Sequence, residues 1–261
     1  SKSSRKVKIF AKMIALFSAL WYTLGRTDKT EDKTMAEMRK YDDREILSHV
    51  DHTLLKPTAT TADIDKIIDE GIRYQTASVC IPPSFVAHAA AYAKGRVKIC
   101  TVIGFPNGYN TTAVKVYETE DAVNNGADEI DMVINLGDLK AGNYDAVAEE
   151  IRAVREACRG KILKVIIETC YLTEEEKIAM CKAVTDAGAD FIKTSTGFGT
   201  GGATIEDIRL FKEHIGPNVK MKAAGGVKSK DDLIMFLEAG CDRIGTSSAV
   251  GLLKGEQAKG Y

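Results

Sequence analysis

Among the six cysteines of this 261-residue chain there is no C-x-x-C pair. That spacing marks zinc knuckles and dithiol redox sites, so its absence points instead to free thiols in a reducing compartment. Histidine is scarce, with four in all. His49 and His52 lie close together without an evident third ligand, so no zinc site is expected. An excess of either charge is also missing. Lys and Arg number 36 against 37 Asp and Glu, a formal net charge of -1. This removes the global electrostatic case for binding nucleic acid or an anionic membrane. The apolar run from Met13 to Leu24 is too short to span a bilayer comfortably. No long linker or low-complexity tract interrupts the chain after residue 50.

The first 34 residues stand apart. Ser1 to Lys12 is basic, Met13 to Leu24 is apolar, and Arg26 to Thr34 is polar and precedes Met35. The order resembles the n- and h-regions of a signal peptide. Three readings stand open: a translated extension ahead of a natural start at Met35, a targeting or membrane-surface segment, or a helix of the fold. Residues 1–34 are therefore treated as a leader or extension, and residues 35–261 as one domain. A length near 250 residues suits a single α/β barrel.

From residue 50 onward, short apolar segments alternate with amphipathic ones. Strands are expected at 50–53, 76–81, 97–103, 128–135, 162–168, 189–194, 219–223 and 242–246. Helices are expected near 61–72, 83–94, 110–125, 143–158, 174–187, 204–214, 230–239 and 248–253. Thr173 followed by three glutamates reads as a helix N-cap. A weak repeat sets the phase: Gly126-Ala127-Asp128, Gly188-Ala189-Asp190 and Gly240-Cys241-Asp242 each close a helix and open a strand. Eight such units predict a (β/α)8 barrel, the TIM-barrel architecture. A doubly wound open sheet is the alternative.

Strand parity leads from fold to chemistry, because alternate residues face opposite sides. Ile130, Met132 and Ile134 share one face of the fourth strand, with Glu129, Asp131, Val133 and Asn135 on the other. Leu163, Val165 and Ile167 oppose Lys164, Ile166 and Glu168. Val219, Met221 and Ala223 oppose Lys220 and Lys222, with Lys220 deeper and directed to the opposite mouth. The apolar faces should meet helices, which turns Asp131, Lys164, Glu168, Lys193 and Lys222 inward. Inward charge is costly unless paired. It reads either as a structural ion-pair network or as a polar active site, since perturbed groups gather at such sites. Lys193, at the end of an apolar strand, is the candidate nucleophile. A second ammonium at Lys222 would favour its neutral amine, and Asp131 could hold a water or move protons. Glycine-rich loops at 194–202, 225–226 and 245–248 follow the sixth, seventh and eighth strands. They offer backbone N–H groups to a phosphate, or serve as tight turns.

The segments DHTLLKP (51–57), GADEIDMVIN (126–135), LKVIIET (163–169), ADFIKTSTGFGTGGAT (189–204), KAAGGV (222–227) and GTSS (245–248) resemble deoxyribose-phosphate aldolase, across about residues 42–261. The resemblance implies a lysine Schiff-base aldolase without metal or organic cofactor. Its reaction would be the reversible cleavage of 2-deoxy-D-ribose 5-phosphate to acetaldehyde and D-glyceraldehyde 3-phosphate. Lys193 falls on the Schiff-base lysine, Lys222 on the lysine that keeps that amine neutral, and Asp131 on the acid/base aspartate. Lys164 and Asp51 fall on supporting positions of the pocket. Gly197, Gly225, Gly226, Ser247 and Ser248 fall on phosphate-binding positions. Phe198 stands where some members carry a phosphate-binding lysine. Tyr261 ends the chain as a tyrosine that reaches the active site ends some members. Phosphosugar and aldehyde substrates, a cytoplasmic setting and a dimer or tetramer are implied, with no nucleic-acid or membrane partner. Two rivals are a phosphosugar isomerase or synthase on a similar barrel, and a binding protein without chemistry.

Overall fold

The structure is a computed structural model that describes residues 41–256. The leader at 1–34 and the terminal Tyr261 lie outside the described residues. The chain runs α1 (Asp43–Ser48), β1 (Val50–Thr53), α2 (Thr61–Tyr74), β2 (Ser78–Ile81), α3 (Val86–Ala93), β3 (Ile99–Ile103), α4 (Thr112–Asn124) and β4 (Glu129–Val133). It continues through α5 (Leu136–Lys140), α6 (Tyr144–Ala157), β5 (Ile162–Ile166), α7 (Glu174–Asp186) and β6 (Phe191–Lys193). Then follow α8 (Ile205–His214), β7 (Lys220–Ala224), α9 (Lys230–Ala239), β8 (Arg243–Thr246) and α10 (Ala249–Leu253). All strand pairs are parallel, and β8 closes on β1. The eightfold closed barrel is therefore present, and the open-sheet alternative is excluded. Two short helices, α1 and α5, have no counterpart in the sequence reading.

The core lies between strands and helices. Ile130 and Met132 of β4, Leu163 and Val165 of β5, and Met221 and Ala223 of β7 are buried there with Ile151, Val184 and Phe211 of the helices. The opposite faces look into the barrel, as parity requires. On β2 and β3 that inner surface is apolar, where Cys80, Cys100 and Val102 pack with Leu55. Elsewhere it is charged. Lys220, at the start of β7, is exposed with its ammonium 5.8 Å from the Phe191 ring, at the mouth opposite Lys193.

The repeated Gly-x-Asp has a double explanation. Gly126, Gly188 and Gly240 have φ of 104°, 70° and 109°, the left-handed turn that ends a helix. Each aspartate then accepts a backbone N–H from the preceding strand: Asp128 from Ile99 at 3.1 Å, Asp190 from Leu163 at 2.8 Å, and Asp242 from Met221 at 3.1 Å. The repeat thus pins β3 to β4, β5 to β6 and β7 to β8 at their N-terminal ends. Thr173 caps α7 as expected, in a reciprocal box with Glu176.

Candidate active site

In-register partners on parallel strands share a face, and the pairings here run across the charged wall. Asp131 pairs with Lys164, Lys193 with Lys222, and Lys222 with Arg243. The result is one cluster of ion pairs inside the barrel. Asp131 Oδ2 receives the ammoniums of Lys193 at 2.8 Å and Lys222 at 2.6 Å, and Oδ1 receives Lys164 at 2.8 Å. Lys222 also bonds Asp51. Lys164 reaches Glu129 at 2.6 Å and Asp51 at 3.4 Å. Asp51 takes a further bond from the Ser78 hydroxyl at 2.6 Å. Of the sequence-predicted charged residues, Asp51, Asp131, Lys164, Lys193 and Lys222 are brought together and buried, while Glu168, also expected inward, is buried apart from them against Thr196.

The number of partners decides the protonation states. Burial alone would push both carboxyls up, but the cations around them win. Lys164, Lys222 and Arg243 hold Asp51 below the usual carboxylate range, and Lys164, Lys193 and Lys222 do the same for Asp131. Burial alone would push the ammoniums of Lys164 and Lys222 down, but Asp131 and Asp51 raise both above the usual lysine value. Lys222 is thus a held cation sharing an oxygen with Lys193.

Two members of the cluster, Arg243 and Cys100, are not singled out by the sequence. Arg243, on the inner face of β8, bonds Asp51 and reaches Glu129 at 3.0 Å. The same alternation that selected Lys222 would have selected it. The Cys100 thiol donates to Asp131 at 3.3 Å and accepts from Lys164 at 3.3 Å. Its hydrogen bond lowers the neighbouring Cys80 thiol, while burial pushes Cys100 itself up. Five of the six cysteines are buried and Cys170 is half-buried, all as free thiols. Glu168 follows β5 in a left-handed conformation with φ of 53° and accepts the Thr196 N–H at 3.1 Å. The hydroxyl of Thr196 in turn accepts the Phe198 N–H at 3.0 Å, so a β5 carboxyl shapes the loop after Lys193.

The glycine loops meet at the same mouth. Ala203 N–H bonds the carbonyl of Ala224 at 3.0 Å. A Cβ at Gly202 would lie 2.5 Å from the Gly225 carbonyl carbon, so only glycine permits this approach. Gly197, Gly225 and Gly226 lie on these two touching loops, and Ser247 and Ser248 follow the adjacent β8. Phe198 is 43% exposed and sits edge-on to Phe105 at 5.3 Å, over a cavity of about 380 Å³ lined by Leu55, Pro82, Val102 and Pro106.

Donor sets of Cys80, Cys100 and Asp131, and of Asp51, Cys100 and Glu129, each place ligand atoms within 4.8 Å of one another. The ammoniums that already occupy these carboxylates oppose a cation there. His49 faces the Asp242 carbonyl at 3.0 Å and His52 faces Glu70 at 2.8 Å, so each of these histidines has its own partner. Among the described residues no helix is long and apolar enough to cross a membrane.

The chain as a whole resembles known aldolases. The family model described as DeoC/LacD family aldolase matches residues 45–258. A deoxyribose-phosphate aldolase of Clostridium botulinum (strain Eklund 17B / Type B) is 67% identical over 217 residues, 83% of this chain and 98% of its own length. One of Clostridioides difficile (strain 630) is 59% identical over 218 residues, 84% of this chain and all of its own. A solved tetrameric deoxyribose phosphate aldolase from Aeropyrum pernix is 31% identical with a TM-score of 0.77, covering 82% of this chain and 92% of its own.

Proposed function

We propose a course, residue by residue, for the reaction of this chain, which belongs to the DeoC/LacD family of aldolases. Its activity is that of a deoxyribose-phosphate aldolase, a carbon–carbon lyase. The observation that carries the assignment of roles is the single oxygen, Asp131 Oδ2, that receives both Lys193 and Lys222. Two ammoniums on one oxygen repel each other, and the proton leaves most cheaply from the one with fewest anions around it. Among the described residues within ion-pair distance, Lys193 meets Asp131 alone, Lys222 meets Asp51 and Asp131, and Lys164 meets Asp51, Glu129 and Asp131. Lys193 is therefore the one that acts as a free amine.

The amine adds to the C1 aldehyde of the open-chain sugar, and loss of water gives an iminium ion. The bond that breaks is C2–C3. Only C2 adjoins the imine carbon, and only that cut leaves two carbons as acetaldehyde. The C2–C3 electrons move into the enamine while the C3 hydroxyl gives up its proton and becomes the aldehyde of glyceraldehyde 3-phosphate. Asp131, held ionised, receives that proton through a water and returns one to C2. Water then hydrolyses the imine, which frees acetaldehyde and Lys193 and restores the water lost earlier. Asp51 and Lys164 hold Lys222 and Asp131 in place. The backbone of Gly197, Gly225 and Gly226 with Ser247 and Ser248 binds the phosphate, so energy from that end orients the reacting carbons. Phe198 brings no charge to the phosphate, which leaves recognition to the backbone. No step is assigned to Tyr261, which lies outside the described residues. A homo-oligomer follows the tetrameric relative, and the free thiols suit a cytoplasmic setting.

Incubation with acetaldehyde and borohydride, followed by peptide mass spectrometry, tests the assignment. A single ethyl adduct on Lys193 is expected. Absence of an adduct on the folded protein would instead favour a metal-free isomerase or a binding protein.

A further inference from the structure

We propose that Arg243 is a positioning residue whose fixed charge, at the far end of the barrel interior, keeps Lys193 in its reactive free-amine form. The proposal rests on the reading of Lys193 as nucleophile. It comes from counting the charges that share the interior. The acids are Asp51 on β1 with Glu129 and Asp131 on β4. The bases are Lys164 on β5, Lys193 on β6, Lys222 on β7 and Arg243 on β8. The remaining ionisable groups of the inner surface change the count little. Burial keeps Cys100 on β3 protonated, and Cys80 on β2 is counted as a neutral thiol. Glu168 is bound to Thr196 at the mouth, and Lys220 is exposed at the other end.

Among the described residues, four cations against three anions leave one positive charge in excess. The cluster becomes neutral when one cation gives up its proton. Arg243 cannot, because a guanidinium does not deprotonate in proteins. Lys164 and Lys222 are held charged by two or three carboxylates each. The surplus therefore falls on Lys193. Arg243 is well fixed for this task. It bonds Asp51 and Glu129, and its guanidinium lies 5.5 Å from the centre of the Phe191 ring, in the position of a cation–π contact. Without it, three anions would face three lysine ammoniums. Loss of the Lys193 proton would then leave net negative charge in a buried site.

The test reads kcat/KM for deoxyribose 5-phosphate cleavage against pH, alongside the pH dependence of acetaldehyde trapping on Lys193 with cyanoborohydride. In Arg243→Met, the acid limb of both profiles moves up by about one pH unit, a loss of about tenfold on that limb. Glu129→Gln removes an anion and moves the limb down. The double variant, which removes both charges, returns it close to the wild-type position, and Arg243→Lys keeps it there. A fall in rate with an unmoved limb in both single variants would overturn the proposal and leave Arg243 a structural role. If circular dichroism shows Arg243→Met unfolded, Glu129→Gln and the double variant decide by the same criterion. A wild-type protein that never traps aldehyde on Lys193 refutes the nucleophile itself. Trapping that all variants share at one pH refutes only the role of Arg243.

Discussion

The barrel interior and the layer outside it each bury lysines against carboxylates, with opposite results. Outside, Lys115 of α4 meets Glu150 of α6 at 2.8 Å, and both are buried. Burial dominates there. It pushes Lys115 down and Glu150 up, and the one close partner of each, with weaker help to Lys115 from Asp138 and Glu118, recovers only part of the loss. Inside, Lys164 and Lys222 move up and Asp51 and Asp131 move down. The difference is the number of opposite charges around each group. One partner does not outweigh desolvation, but two or three do. The outer pair serves as a brace, in which Lys115 donates to the Val133 carbonyl at 2.8 Å and Glu150 accepts the Asn135 N–H at 3.2 Å, beyond the end of the strand that carries Asp131. The inner cluster can hold one lysine as an amine because its neighbours hold the charge.

The sharpest way to separate the two regions is Lys193→Met. Turnover of deoxyribose 5-phosphate should fall by about 10⁴-fold or more, because the covalent step is lost. Stability in urea should change by less than about 1 kcal/mol, since the three remaining cations balance the three carboxylates. Next is Asp131→Asn, which strips the shared anion from three lysines. Chemical denaturation should show a loss of about 3–5 kcal/mol, the usual cost of buried charge left unpaired, and activity should be lost as well. Lys115→Met is smaller, about 1–3 kcal/mol, with kcat nearly unchanged. In Lys115→Met/Glu150→Leu only part of that loss should return: the unpaired carboxyl is gone, but the Val133 carbonyl and the Asn135 N–H still lose these partners.

The smallest effect is in the pH dependence of stability. Asp51 and Asp131 are lowered, so their contribution is complete above about pH 4 and is lost as pH falls below it. Glu150 is raised, so its contribution grows as pH falls from neutral towards about 4.5. Melting curves of the Lys115→Met/Glu150→Leu variant should show a shallower second slope, what is left coming from Glu118 and Glu168, which burial also raises, and should keep the first. A variant that loses both would remove the distinction between the regions.

Much of the inner region is legible in the sequence. Alternation along β4, β5 and β7 places Asp131, Lys164 and Lys222 on the inner wall, because a strand has a strict period of two. Closure of the barrel makes their faces converge. Arg243 obeys the same alternation on β8, but the glycine and serines that follow it are the more conspicuous signal of that segment. The outer pair is not legible. Helix periodicity marks Lys115 as one residue on an amphipathic turn, and only the packing of α4 against β4 shows that its ammonium ends on the Val133 carbonyl. The short helix α5 escaped because its start depends on the Asn135 side chain accepting N–H groups from Gly137 and Asp138. The strand read as 189–194 is shorter, Phe191–Lys193, since Asp190 turns its side chain to the β5 backbone and Thr194 begins the loop.

The three aspartates of the Gly-x-Asp repeat act at the end of the barrel away from the chemistry, yet they protect it from error. A slip of one residue along β5 would carry Leu163 into the interior and Lys164 out among the helices. Every strand in a ring must compensate for such a slip, or the ring does not close. By fixing where β3, β5 and β7 begin, Asp128, Asp190 and Asp242 decide which side of each strand is catalytic. Fidelity of the active site is in this sense proofread from the opposite mouth, by residues that never approach a substrate.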